Sequence, residues 1–149
     1  MSSHKLRWTS PTLLVFILSM LLGACSTPAA PTTPDSLEGG VLATFDVSGE
    51  RFHAWVTNPQ TIQQLEELQQ GTSLASIPNG RILRGAGEAT HNVPWSWHLD
   101  PQDIEMAEVT TEVCDAAPSY VEENVDEFVD NVQRYCPWNA ELVELQDYR

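Results

Sequence analysis

The eleven residues His91-Asn-Val-Pro-Trp-Ser-Trp-His-Leu-Asp-Pro101 constrain the fold more than any other stretch. They crowd two tryptophans, two histidines and an aspartate into one short segment. In an extended chain successive side chains point to opposite sides, so Trp95, Trp97 and Leu99 share one face while Ser96, His98 and Asp100 share the other. Each tryptophan hides about 150–250 Å² when buried. The fold must therefore supply a wall for the aromatic face and leave the polar row at the surface.

The flanking segments supply candidates for that wall. Val41, Ala43, Phe45 and Val47 alternate along one strand, and a second strand resumes at Arg51 after the turn-forming pair Ser48-Gly49, which predicts a β-hairpin. Asn58 is placed to cap a helix that opens with Pro59, carries Ile62, Leu65 and Leu68 at helical spacing and stops at Gly71. This helix is expected to cover the hairpin. Gly71 to Gly80 reads as a loop containing a Pro78-Asn79-Gly80 turn, followed by a short strand at Arg81 to Arg84. Gly85-Ala86-Gly87 lacks the Lys and Ser/Thr of a phosphate-binding loop. Ile104 to Val113 is predicted as a long strand with a bulge near Ala107, where the apolar face passes from Ile104 and Met106 to Ala107, Val109 and Val113.

A second helix is predicted from Pro118-Ser119, with Ser119 and Glu122 as a capping box. Val121, Val125, Phe128, Val129 and Val132 form one apolar stripe along it. Its other face carries Glu122, Glu123, Asp126, Glu127 and Asp130, a solvated face or one that meets a basic surface, and Arg134 suits its far end. Pro137 stops the helix, and Trp138 to Leu145 forms a last strand that buries Leu142, Val143 and Leu145. The order ββ-α-βββ-α-β predicts an α+β fold with two helices packed on one mostly antiparallel sheet.

Residues 1–24 read as an export signal. His4, Lys5 and Arg7 give a positive start, and an apolar run from Leu13 to Leu22 leads to Gly23 and Ala24. At 1.5 Å per residue that run spans roughly 15 Å, about half the hydrocarbon core of a bilayer. Leu22-Gly23-Ala24-Cys25 resembles the lipobox of bacterial lipoproteins, which implies cleavage before Cys25 and lipidation of its sulfur. Residues 25–40, with Pro28, Pro31 and Pro34 among small residues, read as a tether that can hold the domain roughly 40 Å from the lipid. Residues 41–149 form the expected globular domain. Ser26 lacks the aspartate associated with inner-membrane retention, so the expected location is the bacterial outer membrane or cell surface. Seven Lys and Arg face 21 Asp and Glu; without Lys5 and Arg7 five cations remain, a net charge of −16. Such a surface repels phosphates and excludes nucleic acid as a partner.

In an exported chain Cys114 and Cys136 are expected to form a disulfide bracketing the second helix. Catalytic-thiol and metal readings of that pair compete, without a third ligand close in sequence. Four blocks, Pro94 to Pro101, Glu112-Val113-Cys114-Asp115, Pro118-Ser119-Tyr120-Val121 and Tyr135-Cys136-Pro137-Trp138, resemble a family of small secreted domains whose bacterial members often carry a name borrowed from a slime-mould calmodulin-binding protein. The resemblance implies the same small α+β fold and the disulfide, and little chemistry. Calmodulin targets are usually basic amphipathic helices, whereas both helices here are acidic or neutral.

Trp95, Trp97, His98 and Asp100 are the candidate ligand-binding residues. His98 and Asp100, two apart on one face, can hold a metal or form an acid/base pair. His91 and His53 complete a ligand set only if the fold brings them there. Asp100, Asp103 and Glu105 offer oxygens to calcium, although the usual calcium-loop spacing is missing. No cofactor is required, with calcium or zinc as the ions to consider. The expected function is a non-enzymatic, lipid-anchored binding module for a protein or glycan outside the membrane. The alternative is a small metal-binding or hydrolytic domain using His98 and Asp100.

Overall fold

The computed structural model describes residues 36–149, so the expected signal segment, Cys25 and the tether up to residue 35 lie outside the described residues. Strands β1 (Val41–Val47) and β2 (Glu50–Val56) form the expected hairpin, in register from Val41↔Val56 to Val47↔Glu50. Its turn places Ser48 at φ 56° and Gly49 at φ 92°, the paired left-handed conformation that matches strand twist. Asp46 accepts the Gly49 N–H at 2.7 Å. Helix α1 (Pro59–Gln69) begins as its sequence predicts, with Asn58 accepting from the N–H groups of Gln60 and Thr61. Its buried Ile62 and Leu65 join the hairpin side chains in one core.

The chain builds two antiparallel sheets where the sequence predicts one. Strand β3 (Ile77–Arg84) is shared in turn by three short partners: β4 (Trp97–Leu99) on Ile82 to Arg84, β5 (Glu105–Ala107) on Ile77 to Asn79, and β6 (Arg134–Tyr135) on Gly80 and Arg81. The other sheet has the order β2-β1-β7, β7 being Ala140–Asp147. Helix α1 packs on the hairpin's side chains and lies closest to β5 and to β7, which extends the hairpin's sheet.

Pro78-Asn79-Gly80 is not a turn but lies inside β3. Pro78 is tolerated because it has a strand partner on one side only, β6 starting at Gly80. Gly80 serves clearance: a Cβ there would sit 3.0 Å from Ile104 Cγ1 and 3.3 Å from Leu99 Cδ1.

The predicted strand from Ile104 to Val113 shrinks to β5. Beyond Ala107, whose partner Ile77 begins β3, there is no β3 backbone left to pair. Val109 and Val113 are consequently 81% and 67% exposed rather than buried.

The second helix is also interrupted. It runs as α2 (Pro118–Glu123), breaks at Asn124, resumes as α3 (Val125–Glu127) and ends in a wide turn over Phe128–Val132, where the Gln133 N–H reaches the Phe128 carbonyl at 2.6 Å. The capping box does not form. Ser119 gives both its N–H and its hydroxyl to Glu50 at 2.8 Å, and Glu122 accepts the Ser96 N–H at 2.8 Å. A charged acceptor on a neighbouring element outcompetes the local pair. The stripe nevertheless faces the core, with Val121 and Phe128 buried and Val125, Val129 and Val132 half-buried against it. Arg134 leaves the helix end for β6 and donates to Asn79 and Asp103. In β7, Leu142 and Leu145 are half-buried while Val143 is exposed, contrary to expectation.

Cys114 and Cys136 are bridged, with Cα atoms 5.1 Å apart. They form a small second core with Ile77. The main core centres on Phe52, whose ring lies 5.4–5.8 Å from those of Phe45, Trp97 and Tyr135.

Candidate functional site

The organising stretch divides between core and surface. Trp97 and Leu99 are wholly buried in β4, so Trp97 contributes to the core rather than to a ligand face. Trp95 is half-buried, stacks on Trp97 at 6.2 Å and donates its Nε1–H to the Arg51 carbonyl at 2.7 Å. Two tight turns, Val93 N–H to Thr90 and Trp95 N–H to Asn92, fold the start of the stretch back towards its end. Asn92, fully buried, accepts from the His53 N–H and donates to the Trp97 carbonyl, both at 2.7 Å. It ties β2 to β4, a role that its sequence context does not signal.

His98 is partly exposed, and its ring packs edge-on to that of His91, with centroids 5.8 Å apart and planes at 88°. Its Nδ1 lies 2.7 Å from the Gly85 carbonyl, while the Nδ1 of His91 lies 2.9 Å from the Glu88 carbonyl. The residues expected beside His98 are committed elsewhere. Asp100 pairs with Arg81 and accepts from the Gln102 N–H, and the Arg81 guanidinium holds its carboxyl below the usual range. Asp103 accepts from the Arg81 N–H and from Arg134 at 2.8 and 2.9 Å. Glu105 accepts from Asn79 at 3.1 Å. The three carboxylates suggested for calcium thus surround two arginines. The acidic helix face is likewise met by a cation, Arg84 reaching Asp126 and Asp130 at 2.6 and 2.9 Å.

Burial pushes the imidazoles of His53 and His91 below their ordinary value of 6.5. Arg51 adds to the effect at His53 and is opposed by Glu144; His98 and His53 add to it at His91 and are opposed by the Glu88 carbonyl. A depressed imidazole binds fewer protons folded than unfolded, so stability is full above the unfolded value and is lost as pH falls below it. In metal-free protein the urea midpoint is expected to fall between about pH 7 and pH 5, and a His53→Gln/His91→Gln variant to show a flatter profile. An unchanged slope in the variant would assign the loss to other groups.

The surface beside the bridge carries an apolar groove of about 350 Å³ lined by Ile77, Glu108, Val109, Thr110, Trp138 and Asn139. Trp138 is 38% exposed there, and its N–H is fixed by Asp115 at 2.9 Å. Sequence periodicity hid this groove by assigning Val109 to the core.

The architecture defines a small, disulfide-bridged α+β domain of antiparallel sheets. Within that class, the chain belongs to the BP-74 N-terminal domain family, which residues 40–149 match. The match spans all four blocks that carry the resemblance. No curated protein and no solved structure matches the chain.

Proposed function

We propose that this protein is a lipid-anchored binding module, held outside the bacterial membrane through Cys25 and presenting its domain to an envelope protein or glycan. The observation that carries the reading is the groove beside the bridge. Val109 and Trp138 expose apolar surface on a strongly acidic chain, and they line one groove, where an exposed aromatic beside an aliphatic side chain suits an apolar group of a partner. Trp138 is an aromatic anchor of the kind that dominates interface energetics, set against a fixed backbone. The anchor itself rests on the Leu22 to Cys25 motif, and Ser26 favours the outer membrane or cell surface.

Two measurements on intact cells test the two halves. Cys25→Ser should release the protein from the membrane fraction; retention would overturn the anchor. A photo-crosslinker at Asn139 should yield adducts that Trp138→Ala removes, whereas one at Asp126 should not. Adducts that are equal at both positions, or absent at Asn139, would overturn the groove as the binding surface.

A further inference from the structure

We propose that His91 and His98 form a two-imidazole site for a borderline divalent transition metal: zinc, nickel or copper(II). The loop Gly85-Ala86-Gly87-Glu88, which resembles a phosphate loop only in its glycines, is the cradle of this site. Carbonyl oxygens only accept, so the contacts of Gly85 with His98 and of Glu88 with His91 place the ring proton on Nδ1 in both residues. Each Nε2 is left as a bare lone pair. An Nδ1–H given to a backbone carbonyl, with Nε2 free, is the arrangement that metal-binding histidines adopt.

The spacing agrees. An ion about 2.0–2.1 Å from each ring nitrogen sets two imidazole centroids roughly 4.5–6.5 Å apart, from cis to trans ligation, and here they are 5.8 Å apart. His91 is only 8% exposed, and its Nε2 is buried with no hydrogen-bond partner. A buried lone pair without a partner is costly, and an ion would satisfy it. Gly87 is required by the same geometry: at φ 78°, a Cβ there would sit 2.1 Å from His91 Cε1 and 2.9 Å from its Nε2.

The donor set selects the metal. The one carboxylate in the stretch, Asp100, is given to Arg81, which leaves nitrogen ligands that suit zinc, nickel and copper rather than calcium. Among the described residues no group of three or more His, Cys, Asp or Glu is placed to hold an ion. The site therefore has two protein ligands and leaves its remaining positions to water or to a donor from a bound partner.

The test uses the full chain with His4→Gln, stripped with chelator and titrated with copper(II) or nickel while tryptophan fluorescence is followed. Trp97, adjacent in sequence to His98 and stacked on Trp95, reports the site. Saturable quenching at one ion per chain is expected, with zinc competing and calcium without effect. His98→Ala should weaken binding at least about tenfold, as should Gly87→Ala, while Asp100→Asn retains it. His98 is partly exposed, so its replacement leaves the fold intact and its circular dichroism unchanged. Absence of saturable quenching, or quenching unchanged in His98→Ala, would overturn the site. Neither result depends on the membrane anchor or on the groove.

Discussion

Replacing Trp97 by Ala is expected to destabilise the domain by about 3–5 kcal/mol, the range for removing a fully buried aromatic. Trp97 is wholly enclosed, with Tyr135 at 5.0 Å, Phe52 at 5.8 Å and Trp95 at 6.2 Å between ring centroids. It lies on β4, while Phe52 lies on β2 and Tyr135 on β6, so its ring is where the two sheets meet. The resulting cavity cannot collapse without moving three strands. Since small domains hold only about 5–15 kcal/mol in total, the urea midpoint followed by circular dichroism should fall steeply. Trp138→Ala, at a partly exposed ring, should cost much less. Comparable losses for the two would mean that the sheets are not joined through Trp97.

Cutting the Cys114–Cys136 bridge should be the next largest effect. The cysteines are 22 residues apart, and closing a loop of that length is worth about 3 kcal/mol of unfolded-state entropy. For a domain of this size the melting temperature should drop by roughly 10–20 °C in the Cys114→Ser/Cys136→Ser variant. The bridge holds a small core of its own with Ile77, apart from the main cluster, and the Cys136 N–H also reaches the Cys114 carbonyl at 2.9 Å. Crosslinking at Asn139 should therefore weaken in the variant even at temperatures where the main core is folded. An unchanged melting temperature would mean that the bridge does not constrain the unfolded chain.

Local signals were legible where the answer is local. The Ser48-Gly49 turn, the Asn58 cap and the alternation along β1 depend on neighbouring residues, and the structure follows them. They misled where a distant residue decides. Gly80 looks like part of a turn, yet its lack of a side chain is needed by Leu99 and Ile104. Ser119 and Glu122 have capping-box spacing, yet Glu50 and Ser96, remote in sequence, claim them. Of the candidate site, His98 was legible and its neighbour was not. Period two pointed to Asp100, but the turns after Thr90 bring His91 to its ring instead, and Arg81 takes the aspartate.

The position of β1 between β2 and β7 decides how the domain bears force. Val41 pairs with Asp147 and Val47 with Ala140, so the chain enters this sheet at one end while Trp138, just before β7, stands at the other. A pull between the entry of β1 and a partner gripping Trp138 loads the two strands from opposite ends. Their hydrogen bonds then bear the load together, in shear. A pull between the entry of β1 and the far end of β7 would open the same ladder one bond at a time. Gripped by its groove, the domain is a mechanically resistant link; gripped by its tail, it unzips.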